Sequence, residues 1–334
     1  MIYISEPEME GLVTMDESIA ALEALFREEA AGRAEQKPTI ELHPGRGMYR
    51  LKAGGTYWLN SFGFKGYGSG GRRLVFLFGL DEGLQAIMDA EALTQSRTAA
   101  VSAVATKYLA RQDANTLGII GTGFEARSEV DAVNHVRPLR HVKAYSRNPE
   151  NREAFAAEMT VKLGIPVEPV DSAEECVSGV DIITTITSAN DPVLFGSWLR
   201  PGVHINAVGA TTPYRRELDD EAVAKCDLVA VESLPTAQGE CGELLSAASH
   251  GRLRWSMVRE LKDVVSGIYG RKSNADITMV STIGTGAEDV AIANYVYKKA
   301  VVAGLGSAMP NWPEPGSGRG SSLTRAAIQR TSRP

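Results

Sequence analysis

The feature that most constrains the fold of this chain is a glycine-rich turn between two apolar segments. Residues 117–120 form a short apolar run that ends at Gly121 and Gly123, and apolar residues recur at helical spacing from Ala126 onward. Gly121 allows a tight turn, Gly123 lets the backbone approach a pyrophosphate, and the small Ala126 lets a helix pack on the strand. The N–H groups at the start of that helix are available to phosphates. The pattern predicts the first strand, turn and helix of a dinucleotide-binding fold.

The residues after the second strand bear on which dinucleotide is bound. Residues 141–145 are expected to form that strand, and Ser146 and Arg147 stand where this fold places its ribose-recognising residue. An Asp or Glu would accept hydrogen bonds from a free 2′-hydroxyl, whereas Ser and Arg suit a 2′-phosphate. We therefore favour NADP(H), with NAD(H) as the alternative. In the other interpretation, Arg147 is a solvated residue that begins the next helix.

The composition is that of an ordinary globular protein with room for two domains. The chain has 334 residues, of which 43% are hydrophobic and 23% charged, and its formal net charge is −6. No block of like charges suggests a nucleic acid or an anionic membrane as a partner, so we expect a small-molecule substrate.

Three widely spaced cysteines argue against a disulfide framework and a zinc site, and no metal is expected. The N-terminus lacks a signal-peptide pattern and no run is long enough to span a bilayer, so we expect a cytoplasmic location.

Two patterns of secondary structure divide the chain near residue 113. Before it, an amphipathic helix from residue 14 is followed by short β-like runs between glycine turns, which predicts a small antiparallel sheet with strands at 48–51, 57–59, 62–65 and 74–78. An alanine-rich helix at 89–108 leads to the glycine turn. After it, strands alternate with helices, which predicts a parallel sheet covered on both faces. The expected strands lie at 142–145, 167–170, 180–184, 203–208, 228–231 and 277–280, and long helices at 150–163 and 288–302.

Two basic residues stand in apolar surroundings, where burying a charge is energetically unfavourable. Lys65 follows an apolar strand segment, and Arg97 interrupts the alanine-rich helix. A buried cation is unfavourable unless it is paired. An enzyme that acts on a small amino or imino acid needs cations for the substrate carboxylate, for which Arg46 and Arg50 are further candidates. Lys65 and Arg97 could instead form structural ion pairs or extend their charges to water.

Several motifs together resemble the ornithine cyclodeaminase/mu-crystallin family. The specific part is the arginine–threonine helix at 95–110 that abuts the glycine turn, and the further matches are at 117–126, 144–147, 205–209, 216–219, 242–244 and 286–289. The resemblance implies a homodimer and an α/β fold: a Rossmann-type doubly wound sheet at 114–287 plus a smaller α+β substrate-binding and dimerisation domain built from both chain ends. That second domain would comprise residues 1–113 completed by 288–334, where the Pro- and Gly-rich segment from Pro310 is expected to form an irregular arm.

The resemblance also implies roles for individual positions. Lys65 and Arg97 would hold the substrate carboxylate, and Thr98 would lie against the cofactor. The pyrophosphate would be lined by Gly121, Gly123, Phe124 and Glu125. The adenosine ribose would be lined by Ser146 and Arg147, and the nicotinamide by Thr187, Val208, Gly209 and Ser281.

Two positions depart from the family pattern. Many members have another carboxylate-binding arginine after the first helix; residues 36–42 contain none, and Lys37, Arg46 or Arg50 would have to replace it. Cyclodeaminases carry an aspartate where Thr211 stands, and that carboxylate would orient or activate the substrate's side-chain amine. A threonine hydroxyl cannot supply the negative charge, so Thr211 disfavours ornithine cyclisation.

We therefore expect an NAD(P)-dependent oxidoreductase that transfers hydride between the nicotinamide and the Cα of a small imino or amino acid, with Lys65 and Arg97 orienting its carboxylate beside Thr211. Lys65 or an ordered water could protonate the imine nitrogen. One alternative is a cyclodeaminase that recycles NAD in place and uses another carboxylate for the missing aspartate, namely Glu41, Glu217 or Asp289. The other alternative is a nucleotide-dependent binding protein without turnover.

Overall fold

The structure is a computed structural model that describes residues 1–45 and 47–309. Arg46 and the expected C-terminal arm from Pro310 lie outside the described residues. In the described part the strands are β1 (Ile2–Ile4), β2 (Ala34–Gln36), β3 (Ile40–Leu42), β4 (Tyr49–Thr56), β5 (Ser61–Gly68), β6 (Leu74–Gly79), β7 (Gly83–Asp89), β8 (Thr116–Ile120), β9 (His141–Tyr145), β10 (Val167–Pro169), β11 (Ile182–Thr185), β12 (His204–Ala207), β13 (Leu228–Val231), β14 (Val258–Glu260), β15 (Thr278–Ser281) and β16 (Ser307–Ala308).

The helices of the same described ranges connect these strands. They are α1 (Glu6–Met9), α2 (Met15–Ala30), α3 (Glu91–Leu109), α4 (Ala126–Val136), α5 (Pro149–Leu163), α6 (Ala173–Val177), α7 (Asp220–Ala224), α8 (Leu234–Glu240), α9 (Gly242–Ser249), α10 (Leu261–Val265) and α11 (Gly286–Ala303). None of them is long and apolar enough to cross a membrane.

The first sheet is made from both ends of the described chain. Its strand order is β16-β1-β7-β6-β5-β4-β2, with β3 also paired to β4, and every pairing is antiparallel except that of β1 with β7. Helix α11 packs on β4, β5 and β6, and α2 and α3 pack against α11. The opposite face carries stacked aromatic side chains that are partly exposed, including Phe62 over Phe78 and Phe64 over Phe76.

The second sheet is parallel throughout, in the order β10-β9-β8-β11-β12-β15-β13-β14. Its strands alternate their side chains between two cores: Leu117 and Ile119 face α4 and α5, whereas Ile120 and Ile183 face α6 and α7. Burial on both faces explains why these strands read as continuous apolar runs. The expected α/β fold, a Rossmann-type sheet beside a second α+β unit, is confirmed.

The strand order fixes where a ligand can enter the second sheet. From β8 the chain continues to β9 on one side, and it later returns to β11 on the other side of β8. The connections therefore diverge at the carboxyl ends of β8 and β11, which opens a crevice there. Two segments border this crevice: the glycine turn at residues 121–123, and residues 186–193.

Helix α11 joins the two sheets. It begins five residues after β15 ends and then packs on β4 at very short range. A Cβ atom on Gly54 would lie 2.3 Å from the backbone nitrogen of Ala287, and one on Gly286 would lie 2.3 Å from the carbonyl carbon of Ala53. Only glycine fits at both positions, and this contact holds the start of α11 against the first sheet.

The expectation of a strand at residues 57–59 was wrong. These residues form a single 3₁₀ turn, Tyr57–Leu59, and Asn60 follows in the left-handed conformation with φ 57°. Asn tolerates that conformation, so the chain reverses there and β5 begins at Ser61. The three-residue strands β2, β3 and β14 and the short helices were not predicted, because segments this short do not show a full period of apolar residues. The seven-residue strand β7 was also not predicted.

Candidate active site between the two sheets

A cleft of about 1010 Å³ lies at the carboxyl ends of β8, β9 and β11. It is lined by the glycine turn, by the residues that follow β9 and by the loop that follows β11, specifically residues 120–123, 145–148, Asn151 and 186–193. This is the crevice that the strand order predicts, and an elongated ligand would lie across it.

The glycine turn has the geometry that a dinucleotide requires. Gly121 has φ 113°, and a Cβ there would lie 2.2 Å from the carbonyl oxygen of Ile186. At Gly123 a Cβ would meet nothing within 4 Å, so the backbone faces open space. Helix α4 begins at Ala126, and its N-cap residue Glu125 makes no side-chain capping hydrogen bond. No side-chain cap therefore competes with a phosphate at this helix start, and the open backbone at Gly123 fits a dinucleotide. The N–H groups of Ala126 and Ser128 themselves donate to the carbonyl oxygens of Gly123 and Glu125, both at 3.2 Å.

Ser146 and Arg147 line the end of this cleft beyond β9. The Ser146 hydroxyl donates to the carbonyl oxygen of Asn148 at 3.1 Å, and Arg147 is exposed. Arg152 supports the segment by donating to the carbonyl oxygen of Ser146 at 3.3 Å while it pairs with Asp171. A cation and a hydroxyl thus border the place where an adenosine ribose would lie.

Glu217 holds together the two loops on the other side of the crevice. Its carboxylate accepts from the backbone N–H groups of Thr187 and Gly209, both at 2.6 Å, and from the hydroxyl of Thr185 at 2.9 Å. Glu217 is fully buried, and burial raises its pKa above the usual range. Gly209 is needed here because a Cβ would lie 2.4 Å from the carbonyl oxygen of Thr187.

A second cleft of about 490 Å³ continues from the first and reaches the first sheet. Gly123, Ile186, Thr187 and Ser188 line both clefts. The second cleft also contains most of the other predicted site residues, namely Lys65, Arg97, Thr98, Phe124, Glu125, Val208, Gly209 and Thr211. Ser281 is not among its lining residues: it is fully buried and bonded to Cys241 and Glu243, whereas its neighbours Thr282 and Ile283 line the cleft.

The register of β4 and β5 places four polar side chains on the cleft side of the first sheet. Lys52 lies opposite Lys65, and Arg50 lies opposite Tyr67. Two lysines directly opposite each other repel. The repulsion is limited because Lys52 turns to the carbonyl oxygens of Ile283 and Gly284, at 2.7 and 2.8 Å, whereas Lys65 turns to another partner.

That partner is Asp289, on the first turn of α11. The Nζ atom of Lys65 lies 2.8 Å from Oδ1 of Asp289 and 3.2 Å from the hydroxyl of Thr94. Lys65 is only 2% exposed. The pKa of Lys65 is lowered to about 7, chiefly by burial; the charge of Asp289 opposes this shift and that of Arg97 adds to it. An ammonium group with such a pKa can exchange a proton near neutral pH.

Arg97 shares the same carboxylate. Its Nε lies 3.1 Å from Oδ1 of Asp289, and its Nη1 lies 3.3 Å from Glu288. Burial lowers the pKa of Arg97, but the charges of Asp289 and Glu288 outweigh that effect and raise it overall. Burial raises the pKa of Glu288 to about 8, so much of this carboxyl is uncharged at neutral pH. When Lys65 is protonated, the cluster of Lys65, Arg97, Glu288 and Asp289 therefore has an excess of positive charge that can attract an anionic group.

Arg50 reaches the second cleft from β4. It pairs with Glu41 at 2.6 Å and donates to the carbonyl oxygen of Thr211 at 3.1 Å. Lys37 instead pairs with the exposed Glu35. Of the three candidates for the missing arginine, the structure brings Arg50 into the cleft, directs Lys37 to Glu35, and leaves Arg46 outside the described residues.

Asp289 was expected only as a substitute for the missing aspartate, and no role was expected for Glu288, Thr94 or Arg215. Thr94 and Arg215 line the cleft, and Glu288 and Asp289 lie behind it. A signal was available for the two acids, because they end the motif at 286–289 and begin an otherwise apolar helix. Arg215 stands in a loop with no periodic pattern and gave no signal.

The chain matches the model of the family described as "Ornithine cyclodeaminase/mu-crystallin family" over residues 3–304. Three similar solved structures agree in fold. A Δ1-pyrroline-2-carboxylate reductase from Thermococcus litoralis, in complex with NADH and L-proline, superposes with a TM-score of 0.88 at 33% identity, over 92% of this chain and 100% of that one. An archaeal alanine dehydrogenase dimer with bound NAD has a TM-score of 0.88 at 31% identity, over 93% and 99%. The iminosuccinate reductase of Paracoccus denitrificans, in complex with NAD⁺, has a TM-score of 0.86 at 30% identity, over 92% and 98%.

Replacing Asp289 tests whether its charge stabilises the cluster. The substitution Asp289→Asn leaves Lys65 without its carboxylate partner and Arg97 with Glu288 alone, so we expect the free energy of unfolding to fall by about 3–5 kcal/mol. Urea denaturation would measure the loss, with Asp81→Asn on the exposed turn between β6 and β7 as the control. Equal stability of the two variants would show that the charge of Asp289 is not needed.

Proposed function

The chain belongs to the ornithine cyclodeaminase/mu-crystallin family, and on that premise we propose that it is an NAD(P)-dependent oxidoreductase that reduces a small imino acid or oxidises the corresponding amino acid. The three structural relatives support this proposal, since each is named as a reductase or dehydrogenase and is described with a bound nicotinamide nucleotide. The substrate would be a small imine that carries a carboxylate next to its C=N carbon.

One observation carries the proposal. The cleft that fits a dinucleotide opens directly into a second cleft in which two buried cations, Lys65 and Arg97, share one carboxylate. A substrate carboxylate bound to these cations would hold the neighbouring carbon in a cleft that shares Ile186 and Thr187 with the dinucleotide cleft. Fixing both partners in this way lowers the entropic part of the barrier to reaction.

Different residues of the chain would bind the substrate, line the nicotinamide and supply the proton. A bound reduced nicotinamide supplies the hydride that the imine carbon accepts. Lys65 and Arg97 would bind and orient the substrate carboxylate, while Thr98, Val208 and Gly209 would line the space beside the nicotinamide. We assign the proton for the imine nitrogen to Nζ of Lys65, because burial brings the pKa of Lys65 to about 7 and Asp289 holds the amine in place.

The geometry offers no support for the cyclodeaminase alternative. It requires a carboxylate that is available to a substrate amine, but each candidate already has partners. Glu41 pairs with Arg50, and Glu217 accepts three hydrogen bonds from Thr185, Thr187 and Gly209. Asp289 pairs with Lys65 and Arg97 through Oδ1, and its Oδ2, which has no partner in the described residues, is buried behind the cleft and does not line it. Thr211 contributes only its carbonyl oxygen to Arg50.

The test is steady-state oxidation of NADPH and NADH with Δ1-pyrroline-2-carboxylate, measured from mildly acid to mildly alkaline pH. We expect turnover whose kcat/KM is constant at low pH and falls as pH rises through about 7, because the free enzyme loses the Lys65 proton there. The fall in kcat should come at higher pH, since a bound carboxylate favours the charged amine. In Lys65→Arg, which retains a charge but is a very weak acid, kcat should fall about 100-fold or more and the alkaline limb should disappear.

Other outcomes of the same assay would reject parts of the proposal. An unchanged alkaline limb in Lys65→Arg would remove Lys65 as the proton donor. Ammonia release from ornithine without net oxidation of the nucleotide would favour the cyclodeaminase. Tight binding of the imine and nucleotide without turnover would favour a carrier.

We further propose a preference for NADP(H), which rests on Ser146 and the exposed Arg147 at the ribose end of the cleft. A 2′-phosphate would gain a charge-assisted hydrogen bond from Arg147, worth roughly 1.5–3 kcal/mol. We therefore expect Arg147→Ala to raise the KM for NADPH by about tenfold or more and to leave the KM for NADH nearly unchanged. Arg140→Ala, at the opposite end of β9, is the matched control. Equal effects on both nucleotides would contradict the preference.

We also propose that the chain forms a homodimer through the open face of the first sheet. Stacked phenylalanines cover this face, on which Phe62 is 39% exposed and Tyr49, at the other end of the β4–β5 pair, is 48% exposed. An apolar sheet face of this kind is usually covered by a partner. Phe62→Asp should lower the mass measured by light scattering toward that of one chain. Val161→Asp, at an apolar residue 85% exposed on α5, should leave the mass unchanged. A single-chain mass for the unmodified protein would reject the dimer.

Two other expectations remain proposals. We assign residues 1–113 and 288–334 to the substrate-binding and dimerisation domain and residues 114–287 to the Rossmann domain, in agreement with the start of the parallel sheet at β8. The cytoplasmic location expected from the sequence stays a prediction.

A further inference from the structure

The basic side chains of the second cleft are not all neutralised. Six basic residues line it, but only two acidic ones, Glu91 and Glu125. Five of the six have a carboxylate within salt-bridge distance: Arg50 with Glu41, Lys52 with Glu240, Lys65 with Asp289, Arg73 with Glu91, and Arg97 with Asp289 and Glu288. The sixth is Arg215, and within residues 1–45 and 47–309 no carboxylate oxygen lies within 4.0 Å of its guanidinium nitrogens.

Arg215 is held in place by backbone groups. Its Nη2 donates to the carbonyl oxygen of Thr187 at 2.9 Å, and its Nε donates to that of Ala189 at 3.2 Å. These bonds fix the orientation of the half-buried guanidinium but do not cancel its charge. A fixed cation in a partly desolvated cleft stabilises an anion more strongly than it would in open water.

Arg215 lies on a different wall from Lys65 and Arg97. Lys65 is on β5 and Arg97 on α3, whereas Arg215 is on the loop that leaves β12. That loop lines the cleft at residues 208, 209, 211 and 215, and residues 208–216 contain no Asp or Glu. The cleft that holds Lys65 and Arg97 therefore contains a further cation, Arg215, on a separate loop, where a second anionic group of the same molecule can bind.

We propose that the substrate is a 2-imino dicarboxylic acid, whose first carboxylate binds Lys65 and Arg97 and whose side-chain carboxylate binds Arg215. This inference rests on the function proposed above. In the reductive direction the imine carbon gains a hydride, the imine nitrogen gains a proton, and the nicotinamide is oxidised. The second carboxylate takes no part in the bond changes, so Arg215 acts through binding and orientation alone.

The pyrophosphate of the cofactor is the competing anion for Arg215. Thr187, whose carbonyl oxygen anchors Arg215, lines both clefts. A test must therefore separate the affinity for the substrate from the affinity for the nucleotide.

Pairs of acids with equal numbers of carbon atoms isolate the contribution of the second carboxylate. The enzyme would be assayed with ammonium and NADPH or NADH, using oxaloacetate against 2-oxobutyrate and 2-oxoglutarate against 2-oxopentanoate. We expect kcat/KM for at least one diacid to exceed that of its monoacid partner by about tenfold or more, as a charge-assisted contact predicts. Calorimetric titration of the NAD⁺ complex should show the same preference for L-aspartate over L-2-aminobutyrate, or for L-glutamate over L-norvaline.

Two variants of Arg215 and one control complete the test. Arg215→Met should reduce the ratio of diacid to monoacid kcat/KM to about one, and Arg215→Lys should retain part of it, since a lysine keeps the charge but not the fork geometry. The control is Arg216→Met, because the neighbouring Arg216 bonds to Asp220 and Ser246 and does not line the cleft. It should leave the ratio unchanged.

The possible failures are distinguishable. Turnover of the monoacids at least as fast as that of the diacids would overturn the inference and leave the proposed function standing. An Arg215→Met variant that weakens NADH binding without changing the ratio would assign Arg215 to the cofactor instead. If no pair oxidises either nucleotide and no acid binds, the inference fails; the proposed function fails with it only if Δ1-pyrroline-2-carboxylate is not reduced either.

Discussion

The site depends on one carboxylate that two buried cations share. Asp289 lies 2.8 Å from Lys65 and 3.1 Å from Arg97, and all three side chains are almost completely removed from water. Neither cation could be buried at this position alone, because the cost of desolvation would exceed the benefit of packing. A single acid shared by two bases lowers that cost and still leaves positive charge facing the cleft.

The fold is what brings the acid to the bases. Lys65 lies on β5 of the first sheet, and Arg97 lies on α3, the helix that follows β7. Asp289 lies on α11, which follows β15, a neighbour of β12 in the second sheet. The close approach of α11 to β4, at Gly54 and Gly286, sets the depth of this helix. The charge cluster therefore forms when α11 packs on the first sheet and on α3, and the loops of the second sheet complete the cleft beside it.

The sequence predicted the parts of this arrangement that local patterns determine. The glycine turn located the cofactor cleft, because a backbone conformation such as that of Gly121 has a residue requirement, and the apolar strands predicted the parallel sheet. The sequence could not predict that Thr282 rather than Ser281 lines the cleft. Neighbouring side chains at the end of a strand point to different sides, and the sequence does not show which side faces the cleft. Nor could it show that Arg215 lacks a carboxylate partner, because ion pairs join residues far apart in the chain.

The bonds made by Glu217 have a consequence for how this protein can diverge. Its carboxylate ties the backbone at Thr187 to that at Gly209, and it lies itself at the far end of the loop that starts at Gly209. The intervening residues 210–216 are thus a segment whose two ends are anchored by one side chain. Arg215 is the one member of this described segment that donates to the nucleotide cleft, at the carbonyl oxygens of Thr187 and Ala189. Exchange of the other residues between the two anchors leaves those bonds in place, so the loop can vary in sequence while the ends that border the nucleotide keep their positions.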